Sequence, residues 1–216
     1  MTEKLSLHAV GRLLKLLSDH GVIAGVTDEI AMNYHGVADI IHSVEICVPA
    51  AQIDLAVRAI QSSPDLYKQD KEPVQMEFYH PQKGTALRFQ MISISPSLYL
   101  EVLTNETLFL RPADFQQGLT KVTASEELYD VVGDVDDNIL GTIRWPKLGP
   151  FVECWLRLSL AHEGTIGYVY LSQAEKLIDC NNLDQAWCEQ NLEDEKSRAV
   201  AIKIIRGKSQ RRSYFV

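Results

Sequence analysis

One stretch, residues 22–49, constrains the chain more than any other. Val22-Ile23-Ala24-Gly25-Val26 is a short apolar run suited to a buried strand. Residues 29–34 follow as a helix that ends near Gly36, with Thr27 or Asp28 available to cap it. Ser43-Val44-Glu45-Ile46-Cys47-Val48 then alternates and is closed by Pro49. A period of two puts alternate side chains on opposite faces of a strand, and the capped segment between the two strands has helical character. A strand, a helix and a second strand in such quick succession call for an α/β core in which helices pack on a sheet.

The flanking patterns extend this reading. Residues 3–20 carry Leu5, Ala9, Leu13, Leu16 and Leu17 at helical spacing, with Thr2 as a possible cap and His20-Gly21 as a stop. After Pro49 a further helix shows Ile53, Ala56, Val57 and Ile60 on one face, and Ser62-Ser63-Pro64 ends it. Residues 74–79 and 85–94 read as a hairpin turning at 80–84. Two more short strands are expected at 98–103 and 107–110. Beyond Arg111-Pro112 the chain is turn-rich, and from Pro146 it is helical, with helices expected at 148–162, 168–180, 183–192 and 195–205. The expected organisation is an α/β core over residues 1–112, then a turn-rich connection and helical C-terminal region over 113–216, packed separately or as one domain with the core.

Charge and cysteine usage narrow the classes. The net charge of −8 argues against a general DNA-binding surface. Seven basic residues fall after residue 195 with no acid among them, so the rest of the chain carries 14 basic and 29 acidic residues, a net of −15. Within that tail Lys203, Arg206, Lys208, Arg211 and Arg212 are candidates for contact with a polyanion; a solvated helix end is the alternative. Cys47, Cys154, Cys180 and Cys188 are widely spaced, which suits free thiols in a reducing cytosol and not a structural zinc site. No apolar run approaches the ~20 residues that span a bilayer. The first residues lack the layout of a secretory signal, so the expected location is cytoplasmic, with no membrane partner.

The segments 29–37 (Glu-Ile-Ala-Met-Asn-Tyr-His-Gly-Val), 44–49 (Val-Glu-Ile-Cys-Val-Pro) and 174–179 (Ala-Glu-Lys-Leu-Ile-Asp) together resemble the nucleotidyltransferase superfamily. The version they resemble has a glycine-led helix followed by a Thr-x-Asp-Ile-Asp strand, and a group of fungal proteins looks closest. The resemblance covers residues 20–60 well and the helical end loosely. It implies a nucleotidyltransferase-like mixed sheet with helices packed on it. It also implies a site in which carboxylates at i and i+2 of one strand, with a third from a neighbouring strand, hold magnesium against a triphosphate.

The chain departs from that signature. Ser43 stands at the first carboxylate position and Glu45 at the second. Asp28 stands where a glycine is expected to let a phosphate approach the helix, and Gly25 lies three residues too early. Glu101, in the strand expected at 98–103, is the candidate third carboxylate. Glu45 and Glu101 are therefore the candidate catalytic pair, with Ser43, Thr27, Asp28, Glu29 and His42 as candidate substrate contacts. No metal site and no cofactor is expected. His35 and His42 flank the linking stretch and could act as acid or base; capping or surface roles are the alternative. Asp134-Val135-Asp136-Asp137 is a possible cation turn or a solvated one.

Three functions stay open on this reading. One is a transferase that has lost the metal chemistry and acts on an activated substrate, either a nucleotide or an aminoacyl-tRNA. Fungal arginine-containing cyclodipeptide synthases, which join two aminoacyl groups carried on tRNA, are the suspected example. The others are a non-catalytic nucleotide- or RNA-binding module and an atypical magnesium-dependent nucleotidyltransferase.

Overall fold

The computed structural model describes residues 5–70, 85–94, 98–117 and 141–212, with the side chains of 209–212 excepted. The expected first hairpin strand at 74–79, the Thr2 cap and the acidic run 134–137 lie outside the described residues. The chain divides into two units, residues 1–146 and 147–216. Phe115–Gln117 and Arg144–Pro146 pair with each other as antiparallel strands and fall in the first unit.

The first unit begins with α1 (Leu7–Asp19), β1 (Gly25–Val26), α2 (Asp28–Tyr34), β2 (Ser43–Val48) and α3 (Ile53–Gln61). It continues with β3 (Tyr67–Asp70), β4 (Leu87–Met91), β5 (Leu98–Thr104), α4 (Asn105–Leu108), β6 (Phe115–Gln117) and β7 (Arg144–Pro146). A five-stranded sheet runs in the order β1-β2-β5-β4-β3. The β2–β5 pair is parallel and the other neighbours are antiparallel. The result is a mixed α/β architecture with helices packed on the sheet.

The alternation seen in the sequence has a structural counterpart. One sheet face carries Val44, Ile46, Val48, Phe89, Met91, Leu100 and Val102. These bury with Leu7, Leu13 and Leu17 of α1 and with Ala56, Ala59 and Ile60 of α3. The register puts the remaining side chains of the same strands on the other face: Ser43 and Glu45 of β2, Tyr99 and Glu101 of β5, Arg88 and Gln90 of β4, Lys68 and Asp70 of β3. The sheet is thus apolar toward α1 and α3 and polar on its reverse.

Helix α1 starts at Leu7 and is capped by Ser6, its Oγ accepting from the Ala9 amide at 3.4 Å. Two local expectations are revised. Residues 105–108 form a helical turn instead of a strand, because Thr104 caps it by accepting from the Thr107 amide at 3.3 Å. Tyr67–Asp70, with little apolar alternation, nevertheless forms the edge strand β3.

Gly25 has a packing reason of its own. A Cβ added there would lie 2.2 Å from the ring of Phe115, so the glycine admits an aromatic ring. Gly25→Ala is expected to destabilise the protein by about 1–3 kcal/mol, the usual cost of overpacking. Urea denaturation checks this, and trimming the ring in Gly25→Ala/Phe115→Leu should recover much of the loss.

The second unit comprises α5 (Leu148–Ala161), α6 (Gly164–Cys180), α7 (Gln185–Asn191) and α8 (Glu195–Arg212). Phe151, Trp155 and Tyr170 are buried together in edge and stacked contacts. The Glu153 carboxylate accepts from the amides of Glu193 and Asp194 at 2.6 and 2.9 Å, which fixes the entry to α8. No helix among the described residues is long and apolar enough to cross a membrane.

Candidate functional site

The polar sheet face is built by register. Glu45 stands opposite Glu101, Glu101 opposite Arg88, and Arg88 opposite Asp70, so four charged side chains form one row across β2, β5, β4 and β3. Glu45 and Glu101 are 1% and 3% exposed. The Arg88 guanidinium lies 3.6 Å from Glu101 Oε1 and 3.8 Å from Asp70 Oδ2, as an ion pair beyond hydrogen-bond distance in each case. Its central carbon sits 3.6 Å from the centroid of the Tyr99 ring, a cation–π contact. Ser43 Oγ donates to Glu101 Oε2 at 3.3 Å, which puts Ser43 and Glu101 on the face the i, i+2 rule assigns to Glu45.

Helix α2 supplies the next groups. The Thr27 amide donates to the Glu45 carbonyl at 3.0 Å, tying the start of α2 to β2. Thr27 occupies the N-cap position, but its side chain makes no capping bond. Asp28 is 1% exposed and has φ of +49°, a left-handed conformation that aspartate tolerates better than most residues. The expected phosphate turn therefore begins with a buried acid in a strained position. The Glu29 carboxylate accepts from the backbone amide of His42, from His42 Nδ1 at 2.7 Å and from the Ser43 amide at 3.4 Å. Glu29 thereby clamps the entry to β2, while the His42 side chain is mostly exposed.

The structure thus brings Ser43, Glu45, Glu101, Thr27, Asp28, Glu29 and His42 into one region of the first unit. The basic candidates lie apart in sequence, on α8 of the second unit. Lys203 and Arg206 are exposed. Arg206 donates to Gln185 Oε1 at 3.0 Å, and Lys208 pairs with Asp179 Oδ1 at 3.2 Å, so two of them serve the packing of their own unit. Arg211 and Arg212 fall within α8, but their side chains lie outside the described residues. Arg88 escaped the sequence reading; its one signal was a cation between Leu87 and Phe89 on a strand.

Ser43 is neutral at the position where the resemblance implies an anionic metal ligand, Asp28 stands where it implies a glycine, and Glu101 is ion-paired with Arg88. Among the described residues no group of three or more His, Cys, Asp or Glu side chains is arranged to hold a metal ion.

His35 closes the opposite end of α2. It is buried, and its Nε2–H donates to the Pro146 carbonyl at 2.8 Å. Tyr34 stacks on Trp145 at 4.3 Å beside it. Burial pushes the imidazole pKa down to about 4, and the hydrogen bond only partly opposes that. A histidine held neutral in the fold but free to protonate when unfolded makes the unfolded state bind more protons between pH 4 and 6.5, so stability falls as pH drops through that window. About 2 kcal/mol should be lost from this group between pH 7 and about 5. Urea denaturation against pH checks it: His35→Gln should show a flatter slope over that range than the parent chain.

No protein-family model matches the chain, and no curated protein matches it. Among solved structures, the antibiotic-resistance factor ANT(2'')-Ia is similar over 97% of this chain and 95% of that chain, with a TM-score of 0.42 and 6% sequence identity. With similarity at that level, the functional reading rests on the chain's own residues.

Proposed function

We propose that the chain is a transferase that works without a metal clamp on an activated substrate bearing a cationic group, and that the polar face of the sheet is its platform. The observation that carries this reading is the row Glu45, Glu101, Arg88 and Asp70, three carboxylates to one guanidinium. An acid-rich row on a sheet face suits a cation, and Arg88 already models how a guanidinium lies there, between two carboxylates and over an aromatic ring. The resemblance of residues 20–60 supports a transferase, and the neutral Ser43 where it implies an anionic metal ligand turns the chemistry away from nucleoside triphosphates.

The finer proposal is tRNA-dependent synthesis of an arginine-containing cyclodipeptide. The α-amine of one aminoacyl group attacks the ester carbonyl of the other, an amide forms, and the ribose hydroxyl leaves with the proton the amine gives up. A second such step closes the ring and releases the second tRNA. Glu45 serves as the group that takes and returns the proton, and Glu101 holds the arginyl side chain in partial exchange with Arg88. Lys203, Arg206, Lys208, Arg211 and Arg212 are the proposed tRNA contacts.

The test is incubation of the full chain with arginyl-tRNA and a second aminoacyl-tRNA, followed by mass spectrometry. A cyclic dipeptide that needs both charged tRNAs is the expected product. Nucleotidyl transfer from a magnesium–nucleoside triphosphate, without dipeptide, would overturn the reading. The second reading is a non-catalytic binding module; arginyl-tRNA binding without any product would decide for it.

A further inference from the structure

We propose a second binding site, for a small organic anion, in a cleft beside the C-terminal turn of α1. The cleft has a volume of about 420 Å³, within the roughly 300–1,000 Å³ usual for small-molecule sites. Its apolar wall is Leu14, Val22 and Ala24, all nearly buried in the first unit. Lys15, Asp19 and Arg144 supply the charge around it. No residue of the cleft belongs to the charged row on the sheet, so the site is independent of the proposed reaction.

The charge balance selects the ligand. Lys15 Nζ lies 2.9 Å from both oxygens of Asp19, and that pair is close to neutral as seen by a guest. Arg144 is half-buried, and among the described residues its guanidinium makes no ion pair or hydrogen bond. Among the described residues that line it, the cleft therefore presents one cation without a paired acid, a guanidinium whose fork matches a carboxylate or a phosphate.

The walls are held in place. Arg144 is anchored by the pairing of β7 with β6, opposite Gln117. Gly21, with φ of +76°, turns the chain from α1 toward β1. Gln52 pins this turn at both sides, donating to the Gly21 carbonyl at 3.1 Å and accepting from the Ile23 amide at 2.9 Å. A fixed apolar wall beside a guanidinium carried on a fixed strand suits an anion with an apolar body better than a bare inorganic ion, whose other faces would meet Leu14 and Val22.

Backbone-amide NMR of the full chain tests this with three probes: phenyl phosphate, phenylacetate and the neutral phenylacetamide. Saturable shifts at Gly21, Val22, Ala24 and Thr142 are expected from at least one anion, with phenylacetamide at least about tenfold weaker. Whichever anion binds more tightly assigns the headgroup as phosphate or carboxylate. Arg144→Gln should weaken the anion about tenfold or more. If that variant fails to give a folded spectrum, Arg144→Lys takes its place, and losing the fork should still lower affinity by about threefold or more. No saturation by either anion at about 10 mM, equal binding of acid and amide, or unchanged affinity in the folded variant would overturn the site.

Discussion

Arg88→Met is expected to destabilise the protein by about 3–5 kcal/mol, the cost of breaking a buried ion pair by removing one partner. Arg88 faces Glu101 and Asp70 across its own strand, and Glu45 stands next in the row. Without the guanidinium, the 3%-exposed Glu101 loses the cation opposite it and stays beside a second buried carboxylate. Methionine fills much of the volume and still meets the Tyr99 ring, so the loss would report charge more than packing. The double variant Arg88→Met/Glu101→Gln should recover about half of that loss, since one uncompensated charge is gone. Urea denaturation of the single and double variants at neutral pH measures both. A loss below about 1 kcal/mol for Arg88→Met would show that water reaches the row and that the pair behaves as an exposed one.

Arg88 also shows where sequence reading stops. The apolar alternation of β2 and β5 was legible, because a buried face imposes a period of two on each strand alone. So was the i, i+2 placement of Ser43 and Glu45. The partner of Glu101 was not, because which residue of β4 stands opposite it is set by pairing between segments far apart in the chain. β3 was missed for a related reason: Tyr-Lys-Gln-Asp at a sheet edge needs little burial, so it carries almost no pattern. β-branched Thr107 favours a strand. A local capping bond from Thr104 outweighed that preference. Glu29 was legible as a site candidate, but not as a clamp on the His42 and Ser43 amides, since that contact depends on how α2 packs over β2.

Glu45→Gln is expected to abolish most product formation while leaving the fold at least as stable, and this pairing of outcomes separates a reacting group from a structural one. The substitution keeps the shape of the side chain and removes its charge. In the row, Glu45 stands directly opposite Glu101, and like charges in register repel. Deleting the Glu45 charge therefore relieves that like-charge contact within the row. A purely structural account of the row then predicts a melting temperature that holds or rises, with unchanged turnover. The proposed reaction predicts the same melting behaviour but a fall in cyclic dipeptide formation of about a hundredfold or more, the usual contribution of a positioned proton-transfer group. Arginyl-tRNA binding should weaken far less than turnover, because Glu101 and Asp70 remain to meet the guanidinium. A lowered melting temperature with retained product formation would mean that Glu45 holds a cationic partner within the protein, and would remove it from the reacting groups.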